Sequence, residues 1–113
     1  MMIQFPDDAN GDMLQALTEA GLDLSQTMTL DFYLIFKRQE KAERAEQALI
    51  SKYPKESVSL YCNPANQWEI KITIDMIPSY EAINLLEKEL DEFARKFAGH
   101  NDGWGVMEPE PVD

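Results

Sequence analysis

The sequence predicts a single α+β domain: a four-stranded antiparallel sheet with two long helices on one face and a shorter extra helix at the N-terminus. Three observations lead there. Residues 27–37 and 67–76 alternate apolar and polar side chains, the period of a half-buried strand. Residues 80–97 repeat bulky apolar side chains at steps of three and four, the period of a helix with one buried stripe. Asn63-Pro64-Ala65-Asn66 has the composition of a turn and joins two alternating runs over a hairpin distance.

Asn10 is placed to cap a first helix over 11–20, with Met13, Leu14 and Leu17 on one side and Gly21 at its end. Over 27–37, Met28, Leu30, Phe32, Leu34 and Phe36 point one way, and Thr29, Asp31, Tyr33, Ile35 and Lys37 the other. Residues 38–53 are rich in Glu, Lys, Gln and Ala, with Ala42, Ala45, Ala48, Leu49 and Lys52 at helical spacing, and Pro54 stops the helix. Small alanines let this helix lie close to a sheet, and its charged residues form a solvated outer face.

A hairpin follows, with Val58, Leu60 and Cys62 inward on one strand and Trp68, Ile70, Ile72, Ile74 and Met76 inward on the other. After Pro78, Ser79 caps a helix over 80–97 whose stripe is Ile83, Leu86, Leu90, Phe93 and Phe97. Gly99 reads as the left-handed residue that ends it, Asn101-Asp102-Gly103 as a tight reversing turn, and 104–107 as a last short strand. The order is a helix followed by β-α-β-β-α-β, the split repeat of the ferredoxin-like fold. Residues 108–113 read as a short acidic tail.

At 113 residues the chain suffices for one core, and its 44% hydrophobic content supports a folded globule. No apolar run approaches the roughly 20 residues of a membrane span, and the N-terminus lacks the basic start and apolar stretch of a signal peptide, so a cytoplasmic location is expected. One cysteine, Cys62, excludes an internal disulfide and reads as a small core residue; one histidine excludes multi-histidine metal sites. With 21 acidic and 10 basic side chains the net charge is −11, which disfavours direct nucleic-acid binding and favours a basic protein partner.

No catalytic constellation emerges. His100, the single histidine, falls in the expected turn, away from any nucleophile motif. Asp8-Ala9-Asn10-Gly11-Asp12 misplaces the glycine of a calcium loop and lacks its closing Glu, so it reads as a helix start. Gly99, Gly103 and Gly105 lack the preceding strand and following helix of a dinucleotide loop. Neither a catalytic nor a metal nor a cofactor site is expected, and the chain reads as a non-enzyme.

The segment that stands out is Gly99-His100-Asn101-Asp102-Gly103-Trp104-Gly105. Trp104 between two glycines can seal the edge of the core, where its indole N–H would need a partner, or it can stand on the surface as a partner's anchor. Asp102-Gly103-Trp104-Gly105 after a long amphipathic helix resembles the bacterial family called regulator of ribonuclease E activity B, RraB. So do Phe5-Pro6-Asp7-Asp8-Ala9-Asn10-Gly11-Asp12 before the first helix, Gly21-Leu22-Asp23-Leu24 after it, and Met76-Ile77-Pro78-Ser79-Tyr80-Glu81-Ala82-Ile83 opening the last one. The likeness spans most of the chain. It implies a single RraB-like domain that attaches to ribonuclease E, lowers its cleavage of messenger RNA and remodels the degradosome.

On that reading the partner is a ribonuclease E-type protein with basic, arginine-rich segments. The candidate contact residues are Asp102, Gly103, Trp104, Gly105, Glu108 and Glu110, which offer an aromatic anchor flanked by acids. A reading of a different class is a small-molecule-sensing or homo-oligomerising module that uses the outward strand face, where Tyr33, Ile35 and Tyr61 sit among Thr29, Asp31, Lys71 and Thr73. Sequence leaves monomer or dimer open.

Overall fold

A computed structural model describes residues 8–106. Its elements are α1 (Ala9–Glu19), β1 (Met28–Phe36), α2 (Gln39–Lys52), β2 (Ser57–Cys62), β3 (Trp68–Met76), α3 (Tyr80–Arg95) and β4 (Gly99–Val106). All strand pairings are antiparallel and the sheet order is β2-β3-β1-β4. The expected α+β, ferredoxin-like order with an added N-terminal helix is therefore what the chain adopts.

Strand register follows the hydrophobic pattern. Leu30, Phe32, Leu34 and Phe36 stand opposite Ile74, Ile72, Ile70 and Trp68, so one face of the two central strands is continuously apolar. Ala42, Ala45 and Leu49 of α2 and Ile83, Leu90 and Ala94 of α3 join that face in one buried cluster, which also takes in Leu14 of α1 and Trp104 of β4. Both long helices thus lie on one side of the sheet. Across the joint between them, Lys52 of α2 pairs with Glu89 of α3 at 2.9 Å and lies over the Tyr53 and Phe93 rings.

Local signals set the helix ends. Ser79 caps α3 by accepting the Ala82 N–H at 3.1 Å. At the end of α1, Gly21 has a φ of +90°, and the N–H groups of Gly21 and Leu22 return to the carbonyls of Thr18 and Leu17. In the hairpin, the Asn63 side-chain oxygen accepts the N–H groups of Ala65 and Gln67, and Asn66 adopts a φ of +64°.

Five expectations change. The cap of α1 is Asp8, which accepts the Gly11 N–H at 2.8 Å; Asn10 lies inside the helix and its side chain is used elsewhere. Gly99 does not end α3: the helix stops at Arg95, and Ala98 takes the left-handed conformation at φ +60°. Gly99 is instead the first residue of β4, where a Cβ would meet the Phe36 ring at 2.5 Å and the Ile35 carbonyl oxygen at 2.7 Å, so close strand approach demands glycine there.

The Asn101-Asp102-Gly103 stretch does not reverse the chain but lies within β4, and the reversal occurs earlier, over residues 96–98. His100 is consequently an exposed strand residue opposite Ile35. Cys62 is exposed, because it closes an edge strand that has a neighbour on one side only. The outward side of β1 is also less open than alternation alone implies. Asp31 and Ile35 are buried because β1 is central and flanked on both sides.

Leu90 has no exposed surface, so Leu90→Ala should lower the unfolding free energy by roughly 2–5 kcal/mol in chemical denaturation, as a cavity in a packed core does. Gly99→Ala should cost about 1–3 kcal/mol in the same measurement, through overpacking against the Phe36 ring.

Candidate functional site

The Asp102-Gly103-Trp104-Gly105 segment sits on the edge strand β4 beside α1 and α3. Asn101 pairs with Leu34 and Trp104 with Phe32, so between them Tyr33 alone faces Asp102 and Gly103. That is a β-bulge, with Gly103 at φ +104° absorbing the irregular backbone and the Asn101 side-chain oxygen accepting the Gly103 N–H at 3.1 Å. Its consequence is directional. Residues three apart on a regular strand point to opposite faces, whereas the bulge turns both Asn101 and Trp104 toward the helices.

There the two side chains meet a polar junction. The indole of Trp104, 8% exposed, packs on Phe32 with ring centroids 6.5 Å apart, and its N–H donates to Asn10 Oδ1 at 2.7 Å. An indole N–H can only donate, so Asn10 must present its oxygen, and its amide nitrogen then points away. That nitrogen donates to Asn84 Oδ1 at 2.6 Å and to Glu87 Oε1 at 2.7 Å. The other Glu87 oxygen accepts from the Asn101 side chain at 2.8 Å. One turn further along α3, Asp91 accepts the Asn101 backbone N–H at 2.8 Å and the Arg95 Nε at 2.7 Å. Among the described residues no buried side-chain nitrogen or oxygen is left without a partner.

The junction joins α1, α3 and β4 through residues far apart in sequence. Asn84, Glu87 and Asp91 form a polar stripe at steps of three and four beside the apolar stripe of α3, and that spacing is the sequence signal by which this surface could have been found. Asn10 carries no comparable signal, because an Asn-Gly pair before an apolar run reads first as a cap. Of the candidate contact residues, Asp102 is exposed, Gly103 and Gly105 are half-buried, and Trp104 lies inside. Glu108 and Glu110, with Met107 of the expected last strand, lie outside the described residues. Gly103 is needed for its positive φ, whereas a Cβ on Gly105 would meet nothing within 4 Å.

The family model for "Regulator of ribonuclease activity B" matches residues 7–106, from the start of α1 to the end of β4. The chain belongs to the RraB family. The matched span takes in both ends of the polar junction, Asn10 and Trp104. A search of curated proteins returns no match to this RraB-family chain.

Electrostatics around the junction are one-sided. Residues 1–36 contain six Asp or Glu and no Lys or Arg, and Asp8, Asp12, Glu19 and Asp23 of that segment are exposed. Hydrogen bonds from the Tyr80 hydroxyl and the Gly11 N–H hold the Asp8 carboxyl below its ordinary range. The Asn101 N–H and then the Arg95 guanidinium do the same for Asp91. Exposed Glu81, Glu92 and Asp102 extend the negative surface over α3 and β4. No three His, Cys, Asp or Glu side chains among the described residues are placed to share a metal ion. This arrangement offers a fixed negative surface for a basic partner.

Asn10→Ala removes the acceptor of the Trp104 N–H and one of the donors to Glu87, and should cost about 1–3 kcal/mol in chemical denaturation. The acid limb of the stability curve checks Asp91. A carboxyl held below its ordinary value of 3.8 contributes fully above that pH and ceases to contribute as pH falls through the lowered value. Stability should therefore fall as pH drops below about 3.8, and Asp91→Asn should flatten that part of the curve.

Proposed function

We propose that this RraB-family chain is a non-catalytic regulator that binds a ribonuclease E-type enzyme through the acidic surface formed by α1, α3 and β4, and slows its cleavage of RNA. The family match carries the reading: the family is one of regulators of ribonuclease activity, and the matched span includes every element of that surface. The charge of −11 supports a basic protein segment over RNA as the partner. An arginine-rich segment of the nuclease held against Asp102, Asp12 and their neighbours would be withheld from RNA, which makes inhibition competitive with substrate.

In this account Trp104 acts from inside, by fixing α1 beside Asp102. Glu108 and Glu110 follow β4 in sequence and contribute to the negative charge of the chain. No helix among the described residues is long and apolar enough to cross a membrane, and a cytoplasmic site of action beside RNA-decay enzymes fits the reading. A sensing or oligomerising role for the open sheet face has less support. Thr73 donates to Asp31 at 2.6 Å there, Tyr61 donates to Glu69, and Ile35 is only 4% exposed, so the side chains of that face already partner one another.

Cleavage of a model RNA by the host's own ribonuclease E-type enzyme should slow in the presence of excess protein, and the complex should weaken with salt as exposed charges are screened over about 8–10 Å. Charge reversal at Asp12 and Asp102 together should lower the association rate by roughly tenfold and change the dissociation rate less. An unchanged cleavage rate with no complex at low salt contradicts the reading.

A further inference from the structure

The two edges of the sheet are treated differently. Edge strands expose unpaired backbone N–H and C=O groups, and proteins that stay monomeric blunt them with bulges, charges or prolines. Edge strand β4 is blunted: it carries a bulge, its Asn101 N–H is taken by Asp91, and its Gly103 N–H is taken by the Asn101 side chain. The opposite edge is β2, Ser57-Val58-Ser59-Leu60-Tyr61-Cys62, six residues without a charge, a proline or a bulge.

Ladder geometry fixes which groups of β2 point outward. The Asn63 N–H donates to the Gln67 carbonyl at 2.9 Å across the hairpin, so by antiparallel alternation Tyr61, Ser59 and Ser57 exchange bonds with β3. Val58, Leu60 and Cys62 then direct their N–H and C=O groups away from the sheet, and no side-chain hydrogen bond among the described residues reaches them. An uncharged strand with three outward pairs of backbone groups is a template for another strand.

The charge distribution selects what that strand belongs to. Residues 37–62, which make up α2, β2 and their connections, hold six Lys or Arg and four Asp or Glu, while the rest of the chain holds four and seventeen. Two copies of this protein would repel each other through any surface dominated by the second set, but the α2–β2 side is free of that excess. We propose that β2 pairs antiparallel with β2 of a second copy, with Leu60 opposite its own counterpart and Val58 opposite Cys62, to make a continuous eight-stranded sheet. Ile50 is an exposed apolar side chain on α2, the helix that contacts β2. Both acidic α1–α3–β4 surfaces face outward from such a dimer, at its two far ends.

Sedimentation equilibrium under reducing conditions tests the proposal. The weight-average mass should rise with concentration toward twice 13.0 kDa, and the amides of Val58, Leu60 and Cys62 should become protected from hydrogen exchange as it rises. Ser59 is exposed and on the strand's outer side, so Ser59→Lys should return the mass to 13.0 kDa with an unchanged melting temperature; Ser57→Lys serves if that variant folds poorly. In a Cys62→Ser background, mixing Ser59→Cys and Tyr61→Cys chains should give a mixed disulfide-linked pair, since those residues face each other in the proposed register. A mass of 13.0 kDa throughout the dilution series, a dimer that survives both lysine variants, or exchange at β2 that ignores concentration overturns the proposal.

Discussion

Taking an indole ring out of water requires an acceptor for its N–H, and in this protein that single need organises a large part of the molecule. The acceptor of Trp104 is Asn10, almost the whole chain length away, on a helix that packs on α3. Supplying it fixes α1 against α3, orients the Asn10 amide toward Glu87, and ties Glu87 in turn to Asn101 on the strand that carries Trp104. A closed set of bonds of this kind is costly to half-satisfy and therefore specifies one arrangement of α1, α3 and β4. The β-bulge at Asp102 and Gly103 belongs to the same solution, since it turns Asn101 and Trp104 toward one face.

Function in this account rests on what that arrangement displays. Trp104 is buried and its polar partners in the junction are half-buried, while α1, α3 and β4 also carry exposed acids. A fixed negative surface needs no large movement to receive a basic segment, which suits a regulator that acts by occupying its partner. The sheet adds a second organising feature, because one edge is capped by the junction itself while the other is left bare and close to electrically balanced. Partner binding and self-association would then use opposite ends of one sheet.

Much of the fold is legible in the residues. Strict alternation over β1 and β3, the Asn-Pro-Ala-Asn hairpin and the three-four stripe of α3 each state their element and its buried face, and together they give the topology. What the sequence obscures is where one residue chemistry serves two geometries. Asn101-Asp102-Gly103 suits a reversing turn and a bulge equally, because both need positive φ and a side chain that bonds its own backbone. Gly99 suits a helix end and a close strand approach, and only the Phe36 ring across the ladder decides between them. Cys62 shows the limit of alternation: it marks a face, not whether anything covers that face. Asn10 shows the limit of local reading, since its partner lies in a distant strand. Trp104 between two glycines is legible in the sequence as either a core-edge seal or a surface anchor, and its 8% exposure and bond to Asn10 decide for the first.

The central claim, that Trp104 is an internal tie to α1 and not an exposed anchor, is tested most directly by hydrogen exchange at its indole N–H. The Trp68→Phe variant, which leaves one tryptophan, makes the signal unambiguous. An indole proton held by Asn10 should be protected to the same degree as the amides of α1, and lost with them when that helix detaches. An indole that exchanges as fast as a free surface tryptophan while β1 and α3 stay protected would contradict it.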